Sequence, residues 1–160
     1  SEVGQGSTFF IDLPVGKRPE SEAEKSTAVA TNSLLIDKEQ SGTVLYIEDN
    51  KYNAELLQRM LADWSNIELV CTESGAEGIK AARTRTPNLI LMDIWLPGIN
   101  GFEVLKELNR SDETRDIPVV AVTAKAWNHE VEAVKAAGFD DYITKPINID
   151  KLHHVLDELL

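Results

Sequence analysis

Leu89-Ile90-Leu91-Met92-Asp93 is an uninterrupted apolar run that stops on a carboxylate, and three other runs in the chain end on polar groups in the same way. Thr43-Val44-Leu45-Tyr46-Ile47 leads into Glu48-Asp49, Val119-Val120-Ala121-Val122 into Thr123, and Asp141-Tyr142-Ile143-Thr144 into Lys145-Pro146. Short runs without polar alternation fit parallel strands buried on both faces. If they are neighbours, their ends converge on one point, and that point carries three carboxylates, a hydroxyl and an ammonium.

Such a cluster is costly without a cation. Two carboxylates about 5 Å apart at an effective dielectric near 20 repel by roughly 3 kcal/mol, and a third multiplies the pairs. Lys145 supplies one positive charge. A divalent ion with hard oxygen ligands completes the set, and Mg²⁺, held by carboxylates, waters and phosphate oxygens, is the expected cofactor.

Between these runs the pattern turns helical. Ala54, Leu57, Met60, Leu61 and Trp64 recur at helical spacing behind Asn50, which is placed to cap. Ile67 to Cys71 reads as a further strand and Ala76 to Arg83 as a short helix. Pro97-Gly98 precedes a helix from Gly101 to Asn109, and Trp127 to Ala137 forms another, closed by Gly138. Ile149, Leu152, Val155, Leu156 and Leu159 mark a final amphipathic helix. Five strand-helix units over residues 43–160 predict a doubly wound α/β fold with a parallel sheet. Ligands bind such sheets beyond the carboxyl ends of the strands, where every candidate residue falls.

Composition narrows the function classes. With 16 basic and 27 acidic residues among 160, the net charge of −11 argues against nucleic acid as a partner. No apolar stretch reaches the length needed to span a bilayer, so no membrane contact is expected from this segment. The single cysteine, Cys71, excludes an internal disulfide and fits a reducing compartment, with a cytoplasmic location as the expectation. Its place in an apolar run predicts a buried packing role. His129, His153 and His154 fall on predicted helices and are read as solvated or capping residues.

Physics separates the roles at the strand ends. A carboxylate acts as a nucleophile toward phosphorus once a cation shields the repulsion between the anions. Phosphoryl transfer then needs mainly positioning and charge neutralisation. Glu48 and Asp49 serve as the metal-holding pair and Asp93 as the acceptor. Thr123 offers a hydroxyl to one phosphoryl oxygen and Lys145 an ammonium to another.

Val44-Leu45-Tyr46-Ile47-Glu48-Asp49-Asn50, Leu91-Met92-Asp93-Ile94-Trp95-Leu96-Pro97-Gly98-Ile99-Asn100-Gly101, Val122-Thr123-Ala124 and Asp141-Tyr142-Ile143-Thr144-Lys145-Pro146 together resemble a response-regulator receiver domain, over residues 43–160. The resemblance implies a flavodoxin-like sheet of order 2-1-3-4-5 with five helices. It implies that Asp93 accepts a phosphoryl group from a phosphohistidine on a histidine-kinase dimerisation domain, with Mg²⁺ required. In that scheme Asp49 and Asp93 contact the ion, Glu48 acts through water, and the Trp95 backbone carbonyl adds an oxygen. Thr123 and Tyr142 resemble the family's switch pair, and the Lys145-Pro146 bond is expected to be cis. Trp95 departs from the smaller polar residue common at its position. With Lys125 it is expected to hinder an attacking water and slow autodephosphorylation.

Gly4-x-Gly6-Ser7-Thr8-Phe9 followed by Phe10-Ile11-Asp12-Leu13-Pro14 resembles the last glycine box and terminal strand of a histidine-kinase ATPase domain. Residues 1–14 are thus expected to be the end of such a domain, and residues 15–42, rich in Ser, Thr, Glu, Lys and Ala, a flexible linker. The nucleotide-binding motifs of that family are absent, so the segment is expected neither to bind ATP nor to phosphorylate a histidine. The whole reads as the C-terminal part of a hybrid sensor kinase, relaying phosphate to a histidine phosphotransfer protein or acting as a switch or sink. The receiver is not a turnover enzyme by itself; the implied parent is a phosphotransferase. The last helix reaches Leu160, so no DNA-binding output is expected behind it. Two alternatives are a stand-alone single-domain regulator and an aspartyl-phosphate phosphatase. The second lacks an acid two residues beyond the nucleophile, where Trp95 stands.

Overall fold

Each apolar run becomes a strand, and all the pairings are parallel. A computed structural model of the chain describes residues 41–124 and 128–160, with side chains from 132 onward in the second stretch. The expectations for residues 1–14, for 15–40 of the linker and for Lys125 lie outside the described residues. In chain order the elements are β1 (Gly42–Ile47), α1 (Lys51–Met60), β2 (Ile67–Thr72), α2 (Gly75–Arg85), β3 (Leu89–Asp93), α3 (Gly101–Asn109), β4 (Val119–Thr123), α4 (Asn128–Ala137), β5 (Asp141–Thr144) and α5 (Ile149–Leu159). The sheet order is β2-β1-β3-β4-β5. The chain therefore reverses direction across the sheet after β2, and the switch point falls between β1 and β3.

The sheet has apolar residues on both faces because helices cover both. Val44, Tyr46, Leu89, Leu91, Val120, Val122 and Ile143 pack against Leu57 of α1 and Leu152, Val155 and Leu156 of α5. The alternate strand positions, Leu45, Ile47, Ile90, Met92 and Ala121, meet Ala82 of α2, Val104, Leu105 and Leu108 of α3 and Val134 of α4. All five residues of β3 and all five of β4 are buried. Each fully buried Leu or Ile contributes about 2 kcal/mol by leaving water, so the central strands anchor the fold.

Local chemistry fixes where the helices start. Asn50 caps α1 by accepting from the Tyr52 N–H, as its position predicts. Ser74, Asn100 and Asn148 cap α2, α3 and α5, and Asn100 forms a reciprocal capping box with Glu103. Gly101, the first residue of α3, is buried behind the end of β3. A Cβ there would lie 2.9 Å from both the Asp93 carbonyl oxygen and the Ile94 Cα, so a side chain would push α3 off that strand end.

Cys71 corrects the sequence reading. It is exposed, because β2 is an edge strand paired only with β1. It lines a groove of about 210 Å³ with residues of α1, including Lys51, Glu55 and Gln58. His153 also differs from expectation, with its ring packed against Trp64 at a centroid distance of 5.2 Å. His154 is exposed, 3.6 Å from Glu158. The side chain of His129 lies outside the described residues.

Candidate functional site

Register carries the carboxylates to one place. Ile47 of β1 pairs with Met92 of β3, so the next residues, Glu48 and Asp93, emerge side by side. Asp93 pairs with Val122, which puts Thr123 one step further along β4, and Thr123 pairs with Thr144, immediately before Lys145. The Lys145 backbone N–H donates to the Thr123 carbonyl at 2.7 Å, tying the end of β5 to that of β4. The Lys145-Pro146 peptide bond is cis, as expected.

Lys145 bridges the buried acids. Its Nζ donates to Asp93 Oδ2 at 2.6 Å and also to Glu48 Oε2. Glu48 is 2 % exposed and Asp93 7 %. Charges this far from water must be paired, and losing one partner of a buried pair costs about 3–5 kcal/mol. Burial pulls the Lys145 ammonium toward neutrality, but the hydrogen bonds it donates to Asp93 and Glu48 overcome this and raise its pKa above the ordinary lysine value. Burial pushes the Glu48 carboxyl up, yet donors from Lys145, Asn53 and Tyr46 outweigh it and hold the pKa below the usual carboxylate value. Both groups therefore stay charged at neutral pH.

The donors around Glu48 include two that the sequence reading missed. The Tyr46 hydroxyl donates to Glu48 Oε2 at 2.7 Å, and Asn53 Nδ2 donates to Oε1 at 2.9 Å. Tyr46 precedes Glu48 by two residues, which puts both on one side of the extended chain at the end of β1, while Asn53 faces back from the first turn of α1. That spacing was the available signal. The Trp95 N–H donates to Asp93 Oδ1 at 2.9 Å, fixing the second oxygen of Asp93. The Trp95 ring itself is exposed.

Glu48, Asp49 and Asp93 each offer a carboxylate oxygen, and these atoms lie within 4.8 Å of one another. Asp49 is exposed, so the cluster opens to solvent on its side. Three hard oxygen donors, gathered where a single ammonium balances two of them, fit a small divalent cation such as Mg²⁺.

Thr123, 2 % exposed, lies at the end of β4. Tyr142 lies on β5 opposite Ala121, half-buried against the same core layer as Ala121. Alternation along β4 places Thr123 on the face of Ala121. The two candidate switch residues thus share one face of adjacent strands.

A family model for the response regulator receiver domain matches residues 44–157. This chain belongs to the response-regulator receiver family. The receiver is 41% identical over 118 residues to the polar-differentiation response regulator DivK of Brucella anthropi, a match covering 74% of this chain and 95% of that relative. Among solved structures it is similar to the receiver domain of sensor histidine kinase PA1611 from Pseudomonas aeruginosa, which carries a magnesium ion in its active-site cleft. That likeness has a TM-score of 0.68 at 27% identity and covers 74% of this chain and 97% of the other. The signal receiver domain of a histidine kinase from Syntrophus aciditrophicus aligns at a TM-score of 0.67 and 28% identity, over 75% of this chain and 90% of that one. The receiver fold and its sheet order are those expected from the sequence. Among the described residues, no helix is long and apolar enough to cross a membrane.

Proposed function

We propose that the receiver takes a phosphoryl group onto Asp93 from a phosphohistidine of a histidine-kinase dimerisation domain. The observation that carries this reading is the Lys145 ammonium, held 2.6 Å from Asp93 Oδ2 beside two further carboxylates. An oxygen of Asp93 forms the new P–O bond as the donor's P–N bond breaks, and the imidazole leaves. Lys145 meets one oxygen of the transferred group and Thr123 another. Glu48, Asp49, Asp93 and the Trp95 carbonyl would hold Mg²⁺, which neutralises charge on the phosphoryl oxygens. Tyr142 follows Thr123 as the conformational readout, a population shift biased by the new contacts.

The wider setting belongs to the same reading. Residues 43–160 form the receiver, 1–14 the end of a kinase ATPase domain and 15–42 the linker, within a cytoplasmic hybrid kinase. Onward transfer goes to a histidine phosphotransfer protein. The glycine pair before a strand, followed by a polar linker, supports this arrangement. The DivK match extends over 95% of its relative, so a stand-alone regulator is the second reading.

Incubation with Mg²⁺ and a small phosphodonor, followed by intact-mass measurement, tests the central claim. The wild type gains one phosphate and Asp93→Asn gains none. Equal gain in both, or no gain in either beside a working control receiver, sinks it.

A further inference from the structure

Glu48 is the most fully held carboxylate of the site. Oε2 accepts from Tyr46 Oη at 2.7 Å and from Lys145 Nζ, while Oε1 accepts from Asn53 Nδ2 at 2.9 Å and from the Asn50 N–H at 3.3 Å. A carboxylate offers about four acceptor sites, and here each is engaged. The four donors differ in permanence. Lys145 is shared with Asp93, and a phosphoryl group on Asp93 draws the ammonium toward its own oxygens. Oε2 then keeps one donor, the Tyr46 hydroxyl.

We propose that Tyr46 is a positioning residue for the metal site, holding Glu48 in its binding orientation while Lys145 serves the phosphoryl group. This rests on the receiver reading above. Three observations support it. Tyr46 is completely buried in β1, among Val44, Leu57, Leu91 and Val122, so its ring is fixed by packing. A phenylalanine would fill that apolar layer equally well; the hydroxyl has its use in Glu48. An ordinary phenol hydroxyl keeps its proton at neutral pH and so remains a donor to the carboxylate. It is also neutral. Unlike Lys145, it orients the carboxylate without cancelling the charge that attracts a cation.

Calorimetric titration of Mg²⁺ into the full chain tests this with wild type, Tyr46→Phe, Glu48→Gln and the double variant. Loss of an outer-shell partner weakens metal binding by roughly tenfold or more, so Tyr46→Phe is expected to bind Mg²⁺ about tenfold more weakly. In the Glu48→Gln background the same change is expected to fall within about twofold, because the hydroxyl acts through that carboxylate. The rate of phosphate gain at saturating Mg²⁺ stays near wild type while the Mg²⁺ needed for half that rate rises. Thermal unfolding in a chelator, unchanged within a few degrees, separates positioning from general loss of structure. Wild-type affinity in Tyr46→Phe, or an equal loss in both backgrounds, overturns the proposal. A wild type that binds Mg²⁺ but gains no phosphate removes the receiver reading and leaves the Tyr46 effect on metal binding standing.

Discussion

The two ends of the sheet carry similar polar residues and use them differently. At the amino end, Asn88 Oδ1 accepts from the Thr43 N–H at 2.8 Å and Asp140 Oδ2 from the Val119 N–H at 2.7 Å. Both residues are exposed, and each is spent on the backbone of one neighbouring strand. At the carboxyl end, Glu48 and Asp93 are buried and bonded to side chains from other elements. A carboxylate beside a strand terminus is therefore no site in itself. Convergence, burial and a shared cation make one, and only the carboxyl end has all three.

Removing the shared cation breaks this contrast most severely. Lys145→Ala leaves Glu48 and Asp93 facing each other without their common partner. Losing a preorganised charge contact to the reacting group costs about 10²–10³ in rate, so phosphate gain from a small donor is expected to slow about a hundredfold. A rate within threefold of wild type would show that the ammonium is not needed. A smaller effect is expected at the mouth. Trp95→Asn replaces an exposed ring two residues beyond Asp93 with a small polar side chain, and loss of phosphate from the preloaded protein should quicken several-fold. Unchanged or slower loss would end the idea that the ring hinders water. The smallest effect belongs to the amino end. Asp140→Asn keeps an acceptor but removes its charge, so unfolding by urea should show a loss of about 1 kcal/mol or less. Phosphate gain should not change, and a marked loss of it would mean that the two ends are coupled.

Much of this was legible in the sequence because burial on both faces erases alternation. β3 and β4 stood out as solid apolar runs, and their terminal residues followed. Asn50 and Gly138 announced a helix start and a helix end, and Gly138 has the positive φ of 96° that a closing glycine takes. What was hidden depended on lateral order. Ile67 to Cys71 is apolar but for Glu68, yet β2 lies at the edge and leaves Cys71 exposed. Tyr46 was read only as part of its apolar run, because its two-residue spacing from Glu48 shows a shared face but not the hydrogen bond. His153 read as solvated because its partner, Trp64, is 89 residues away in the chain.

The amide of Lys145, bonded to the carbonyl of Thr123, has a mechanical consequence. The two side chains proposed to meet the phosphoryl oxygens hang from backbones joined by this main-chain hydrogen bond. A tug on one is felt by the other, and Tyr142 stands only three residues up the same strand. In the proposed switch, a new charge at the centre of the sheet would reach its outer margin along this line of main chain.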